Sequence, residues 1–141
     1  MGTDIHCFGE IKIEGTWHVY TKCNFTRNYD VFSKMGCNKN QYIKPISEPK
    51  GLPTDLSLVA QIYHDVSTYD FHSHSWFNSR EIKEFAEQCR FKGENQIPDS
   101  YLIDSMGYLF GYRWQDFESV QKENRMPDII SNIRWVFWFD N

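Results

Sequence analysis

The densest group of chemistry-bearing side chains is Asp70-Phe71-His72-Ser73-His74-Ser75-Trp76. In extended backbone alternate residues share a side, so Asp70, His72 and His74 are expected to converge as two imidazoles beside a carboxylate. Asp4 and His6 repeat the Asp-x-His spacing near the start of the chain. Brought together, the two groups would supply the nitrogen and oxygen ligands a divalent metal requires, and zinc, manganese and iron(II) all accept such a set. An open position on the ion would turn bound water into a hydroxide nucleophile near neutral pH. A plainer reading stands beside this one. The same residues can form a polar loop in which the imidazoles bond backbone carbonyls and Ser75 satisfies a helix start. No spacing here matches a specific signature such as H-E-x-x-H.

A second chemistry uses the same place differently. Backbone N–H groups from Ser75 to Ser79 at a helix start, with Arg80 and assisted by Arg27 and Lys50, would hold a phosphate or carboxylate. Trp76, Tyr69 or Phe71 would offer a stacking surface to a nucleotide base, although such aromatics also serve as core. Between Thr21 and Pro53, six basic residues face Asp30 and Glu48, a local balance of +4 that leaves −8 elsewhere in a chain of net charge −4. That stretch reads either as an anion site or as a solvated face, and Arg80 either as a ligand or as a surface residue by a helix cap.

The overall negative charge argues against general nucleic-acid binding, which needs a basic surface. Cys7, Cys23, Cys37 and Cys89 form no C-x-x-C pair, so they read as small buried hydrophobes of a reducing compartment, and as a zinc site only if the fold gathers all four thiolates. His6 and Cys7 are adjacent and would point to opposite faces of a strand, which leaves no working nucleophile pair. There is no glycine-rich phosphate loop, no G-x-S-x-G elbow and no Walker motif. No apolar run approaches the ~20 residues that span a bilayer. The opening Met1-Gly-Thr-Asp-Ile-His lacks the pattern of a signal peptide, and His6 stands where myristoylation needs Ser or Thr, so a cytoplasmic protein is expected.

The elements that must position these residues are those of one α+β domain, as expected for 141 residues without repeats or linker-like tracts. Thr3 to Ile13 and Trp17 to Cys23 read as a hairpin around Glu14-Gly15-Thr16. A three-residue loop would pair Ile13 with Trp17, Ile11 with Val19 and Cys7 with Cys23, placing Asp4 and His6 on the opposite face. Asn28 caps an expected helix Tyr29 to Met35 closed by Gly36. Leu56, Val59, Ala60 and Tyr63 repeat at helical spacing. Asn78 and Glu81 form a capping box before Ile82, Phe85, Ala86 and Cys89. Another helix is expected near Trp114 to Lys122. Ile133 to Asp140, apolar on both faces, should be a mid-sheet strand beside the first one, with Asp140 near Asp4 and His6. The fold class expected is a small, mainly antiparallel sheet, formed by the N-terminal hairpin and the C-terminal strand, packed with three to four helices.

Met1-Gly-Thr-Asp-Ile-His, Arg27-Asn-Tyr-Asp-Val-Phe, Pro45-Ile-Ser-Glu-Pro-Lys-Gly-Leu-Pro, His72-Ser-His-Ser-Trp and Val136-Phe-Trp-Phe-Asp-Asn are distinctive in combination. The set resembles a family of small uncharacterised proteins of tailed bacteriophages and bacteria. The resemblance spans most of the chain and implies a phage or prophage setting, in which accessory proteins bind host factors or signalling nucleotides; it supplies no catalytic residues. Three functions fit these residues. The first is an accessory binding module in which Asp4, His6, Asp70, His72 and His74 line a pocket for a divalent metal or a small anionic ligand. The second is a metal-dependent phosphoesterase using Arg80 or Lys50 on phosphate. The third is a protein that inhibits a host factor through aromatics such as Tyr108, Phe110, Tyr112 and Trp114, which equally suit a buried strand face. The apolar content leaves room for a dimer interface without locating one.

Overall fold

The computed structural model describes residues 2–23, 25, 27–67, 69–90, 122 and 130–141. In chain order the elements are β1 (Asp4–Ile13), β2 (Thr16–Cys23), α1 (Tyr29–Lys34), α2 (Leu58–Asp65), β3 (Phe71–Asn78), α3 (Ser79–Arg90), a 3-10 turn (Ile130–Asn132) and β4 (Ile133–Asp140). The strands form one antiparallel sheet in the order β2-β1-β4-β3. The architecture is thus a small α+β fold with the C-terminal strand at its centre. The expected helix at Trp114 to Lys122 and the aromatics Tyr108 to Trp114 lie outside the described residues, Lys122 excepted.

β4 holds its central place because both of its faces are apolar, and Ile133 to Phe139 are all buried. Its odd-numbered side chains Trp135, Phe137 and Phe139 pack with Phe77 of β3, Phe32 of α1 and Phe85 of α3. Val136 and Trp138 turn to the other face, where Phe8, Leu56, Ala60 and Tyr63 meet them. The sheet is therefore covered on one side by α1 and α3 and on the other by α2 with the loop that precedes it. This second face also carries the buried Glu10 and Arg134.

The capping residues act as their positions suggest. Asn28 Oδ1 accepts from the N–H groups of Asp30 and Val31 at 3.1 and 3.2 Å, starting α1. Asn78 and Glu81 bond each other's backbone N–H, which lets β3 run directly into α3. Ser57 caps α2 by accepting from Ala60 N–H. In α2, Ala60 and Tyr63 face the sheet, whereas Val59 is exposed together with Leu58, Ile62 and Val66. The helix starts after Leu56, so its inward stripe follows residues 56, 60 and 63 and leaves Val59 outside.

The hairpin differs from the expected register in an instructive way. Its loop has two residues, Glu14 at φ 50 and Gly15 at φ 81, the doubly left-handed turn that matches strand twist. Ile13 therefore faces Thr16, Lys12 faces Trp17, Ile11 faces His18 and Glu10 faces Val19. A bulge between Gly9 and Glu10, with Tyr20 as the extra residue, then restores the pairing of Cys7 with Cys23. Gly9 is required there: an added Cβ would lie 2.8 Å from Thr21 Cγ2 and 2.9 Å from the Tyr20 ring.

Candidate functional site

A second bulge separates His72 from His74, two of the five residues expected to share a pocket. Ser73 adopts φ 56, and the β3–β4 register shifts between His72 and Ser75. The bulge breaks the two-residue period, so His72 and His74 fall on opposite faces. His72 stacks on Phe139 and bonds Asn141 Oδ1 at 3.1 Å. His74 lies on the second face beside Trp138. Asp4 is bound by Arg27 at 2.8 Å, and Asp70 is exposed. Among the described residues no three His, Cys, Asp or Glu side chains are gathered as a metal-binding group. The five are not gathered in one pocket: His6 and His74 stand on one face, His72 on the other, Asp4 is turned to Arg27 and Asp70 is exposed.

What gathers there instead is a histidine–aromatic cluster around Trp138 and Phe71. His6 comes from β1, Tyr63 and His64 from α2, His74 from β3 and Trp138 from β4. His6 Nε2 lies 2.5 Å from Asp140 Oδ2, as the β1–β4 register of Asp4 with Asp140 requires. Asp140 thus pairs with His6, while Asp4 turns to Arg27. The Tyr63 hydroxyl is 3.4 Å from His6 Nδ1 and accepts from Lys22 Nζ at 3.1 Å.

His64 and His74 meet tip to tip, Nε2 to Nε2, at 3.0 Å. His64 Nδ1 also lies 3.1 Å from Asp65 Oδ1. An ionised carboxylate only accepts, so the proton on His64 is assigned to Nδ1; its Nε2 lone pair then accepts from the Nε2–H of His74. Burial foremost, then the neighbouring His64 and His72, pull the His74 imidazole below its ordinary value and keep it neutral. Trp138 is fully buried, and its Nε1–H has no hydrogen-bond partner among the described residues. Trp135 on the other face shares that condition, but its ring neighbours are Phe25 and Phe85.

The residues expected to hold an anion divide in two. Lys50, Ser75 and Trp76 do come together: Ser75 Oγ accepts from Lys50 N–H at 3.1 Å, and Lys50 Nζ sits 3.8 Å over the Trp76 ring. Lys50 Nζ also bonds Glu81 at 2.5 Å, so its charge is committed to the α3 cap. Arg27 is bound to Asp4, and Arg80 is exposed on α3. The basic stretch is likewise dispersed, with Lys34 on Gln88 and Lys39 over Tyr29.

Two contributors were not singled out from the sequence. His64 belongs to a helix whose phase places residue 64 one position after the inward Tyr63, and that adjacency was its only signal. Trp138 reads as plain core from its alternation. Comparison of the chain with family models, with curated proteins and with solved structures finds no match in any of the three.

Proposed function

We propose that the chain is an accessory binding protein of the phage type whose second sheet face holds a divalent transition-metal ion between His64 and His74. The observation that carries this reading is the 3.0 Å separation of the two Nε2 atoms. Two imidazole nitrogens on a tetrahedral zinc ion stand about 3.3 Å apart, so a few tenths of an ångström of opening admits the ion. His64 is already oriented through Nδ1 by Asp65, the carboxylate–histidine arrangement that fixes the tautomer of metal ligands. Burial keeps His74 neutral, the form a metal ligand needs, and its tautomer protonated at Nδ1 presents the Nε2 lone pair to the ion. The strained Ser73 bulge is what aims His74 at the site, and strain of this kind concentrates at functional positions. Two protein ligands leave positions for water or a small anion, and the Trp138 N–H, without a partner among the described residues, belongs to the same cluster.

Zinc titration of chelator-treated protein by isothermal calorimetry tests the proposal. One ion per chain is expected, lost in both His64→Ala and His74→Ala and retained in His72→Ala. Asp65→Asn should weaken binding by roughly 10–100-fold, as outer-shell partners do. An unchanged isotherm for the His64→Ala/His74→Ala double variant, with circular dichroism showing it folded, would remove the site.

A further inference from the structure

Cys7 and Cys23 lie directly opposite each other in the β1–β2 ladder. Directly opposed antiparallel residues have Cα atoms ~4.5–5.5 Å apart, inside the ~4.4–6.8 Å span that a disulfide bridges. Both side chains turn to the same buried face, and burial foremost, then Cys23 as neighbour, raise the Cys7 thiol above its ordinary value. The sequence reads them as inert core fillers, but inert fillers need no mutual alignment. That alignment rests on the Gly9–Glu10 bulge, without which the two-residue turn would put the strands one residue out of step at this point.

We propose that Cys7 and Cys23 are a redox-responsive pair that closes to a cross-strand disulfide by exchange with a small-molecule disulfide such as oxidised glutathione. Cys23 reacts first. It is the last residue of β2, and β2 is the sheet's edge strand, so fraying of that end exposes it. Its thiolate attacks one sulfur of the oxidant and releases one glutathione thiolate, leaving a mixed disulfide at Cys23. The Cys7 thiolate then attacks Cys23 Sγ, expels the second glutathione and closes the ring. Two protein thiols are oxidised, one oxidant disulfide is reduced to two thiols, and the two protons end on the glutathione products. Burial, with Cys23 as neighbour, holds the Cys7 thiol protonated, so exchange is slow in the closed fold and follows the opening of β2.

The test uses the full chain incubated with oxidised glutathione, quenched in denaturant with an alkylating agent, and read by intact mass and peptide mapping. The expected product has two of its four cysteines protected from alkylation, with a Cys7–Cys23 cross-link that dithiothreitol removes. A Cys37→Ser/Cys89→Ser variant should give the same link, and Cys23→Ser should lose it. Oxidised protein should also melt at a higher temperature than reduced protein. Alkylation of all four cysteines, a mixed disulfide that never closes, or a link to Cys37 or Cys89 in the wild type would each overturn the assignment.

Discussion

Two polar groups interrupt the apolar second face of the sheet, and they are completed to different degrees. Around Arg134, which is 4% exposed, the donors and acceptors are matched. Glu10 accepts from Arg134 Nε at 2.6 Å and from Ser57 N–H at 2.9 Å. Arg134 also donates to the side chain and the carbonyl of Asp55, and the Trp17 ring covers the guanidinium at 4.0 Å while its Nε1 donates to Asp55. This clasp ties β1, β2 and β4 to the start of α2. In the histidine cluster, two imidazoles share one proton between like atoms, and a buried indole N–H has no partner among the described residues. A network in which each charge has a fixed counterpart specifies structure; one that leaves lone pairs and donors uncommitted is suited to bind.

The sharpest way to break that contrast is to open the clasp. Arg134→Met strands the fully buried Glu10 carboxylate, and the expected loss is ~3–5 kcal/mol in urea unfolding, typical of removing one partner of a buried pair. Glu10→Gln added to Arg134→Met removes the stranded charge and keeps an acceptor for Ser57, so it should recover part of the loss. A single variant that costs less than ~1 kcal/mol would mean the clasp is no more structural than a surface pair.

The histidine cluster should behave in the opposite sense, gaining stability only when the metal is bound. Zinc at 100 times its dissociation constant should add ~2.7 kcal/mol to the wild type. The same increment should appear in Arg134→Met if the two regions are energetically independent. In His64→Ala/His74→Ala the increment should vanish, while the metal-free stability changes by only about 1 kcal/mol, the worth of one hydrogen bond. A loss of clasp size in the metal-free double variant would make the histidines structural and dissolve the comparison.

Sequence periodicity reached most of the frame. Ile133 to Asp140 was legible because aromatic residues on both faces demand cover on both faces, which only a central strand receives. The Asn78/Glu81 box was legible because capping is local. Two of the differences share one cause. Bulges at Tyr20 and Ser73 insert a residue without any signal in the alternation, and each moves every side chain beyond it to the other face. The Asp70/His72/His74 convergence presumed an unbroken strand and fell with it. His64–His74 and Glu10–Arg134 are contacts between elements distant in the chain, so no spacing rule reports them.

Ser73 offers a smaller probe of the same distinction. Left-handed backbone costs a residue with a Cβ roughly 1–2 kcal/mol, and a β-branched one more. Ser73→Val should therefore destabilise the fold by about 1–2 kcal/mol and weaken zinc binding by moving His74, whereas Ser73→Gly should preserve both. Retention of zinc affinity in Ser73→Val, with the protein folded, would show that the bulge does not aim His74.

The smallest expected effect separates the two regions by pH in the metal-free protein. His74 is held below its ordinary value of 6.5, so in mildly acidic solution the unfolded chain binds a proton that the folded chain resists. Its contribution is therefore intact above pH 6.5 and falls away as the pH drops from there through the lowered folded value. Asp55 answers in a lower window. The hydrogen bond from Arg134 foremost holds its carboxyl below 3.8, so the clasp keeps its contribution down to that pH and loses it only in stronger acid. Asp55 is mostly exposed, which makes this second step small. Urea midpoints measured from neutral pH downward should show the two declines separately, with His74→Leu reducing the upper one and leaving the lower in place. A variant that lost both declines would show that the histidine cluster and the clasp titrate as one network.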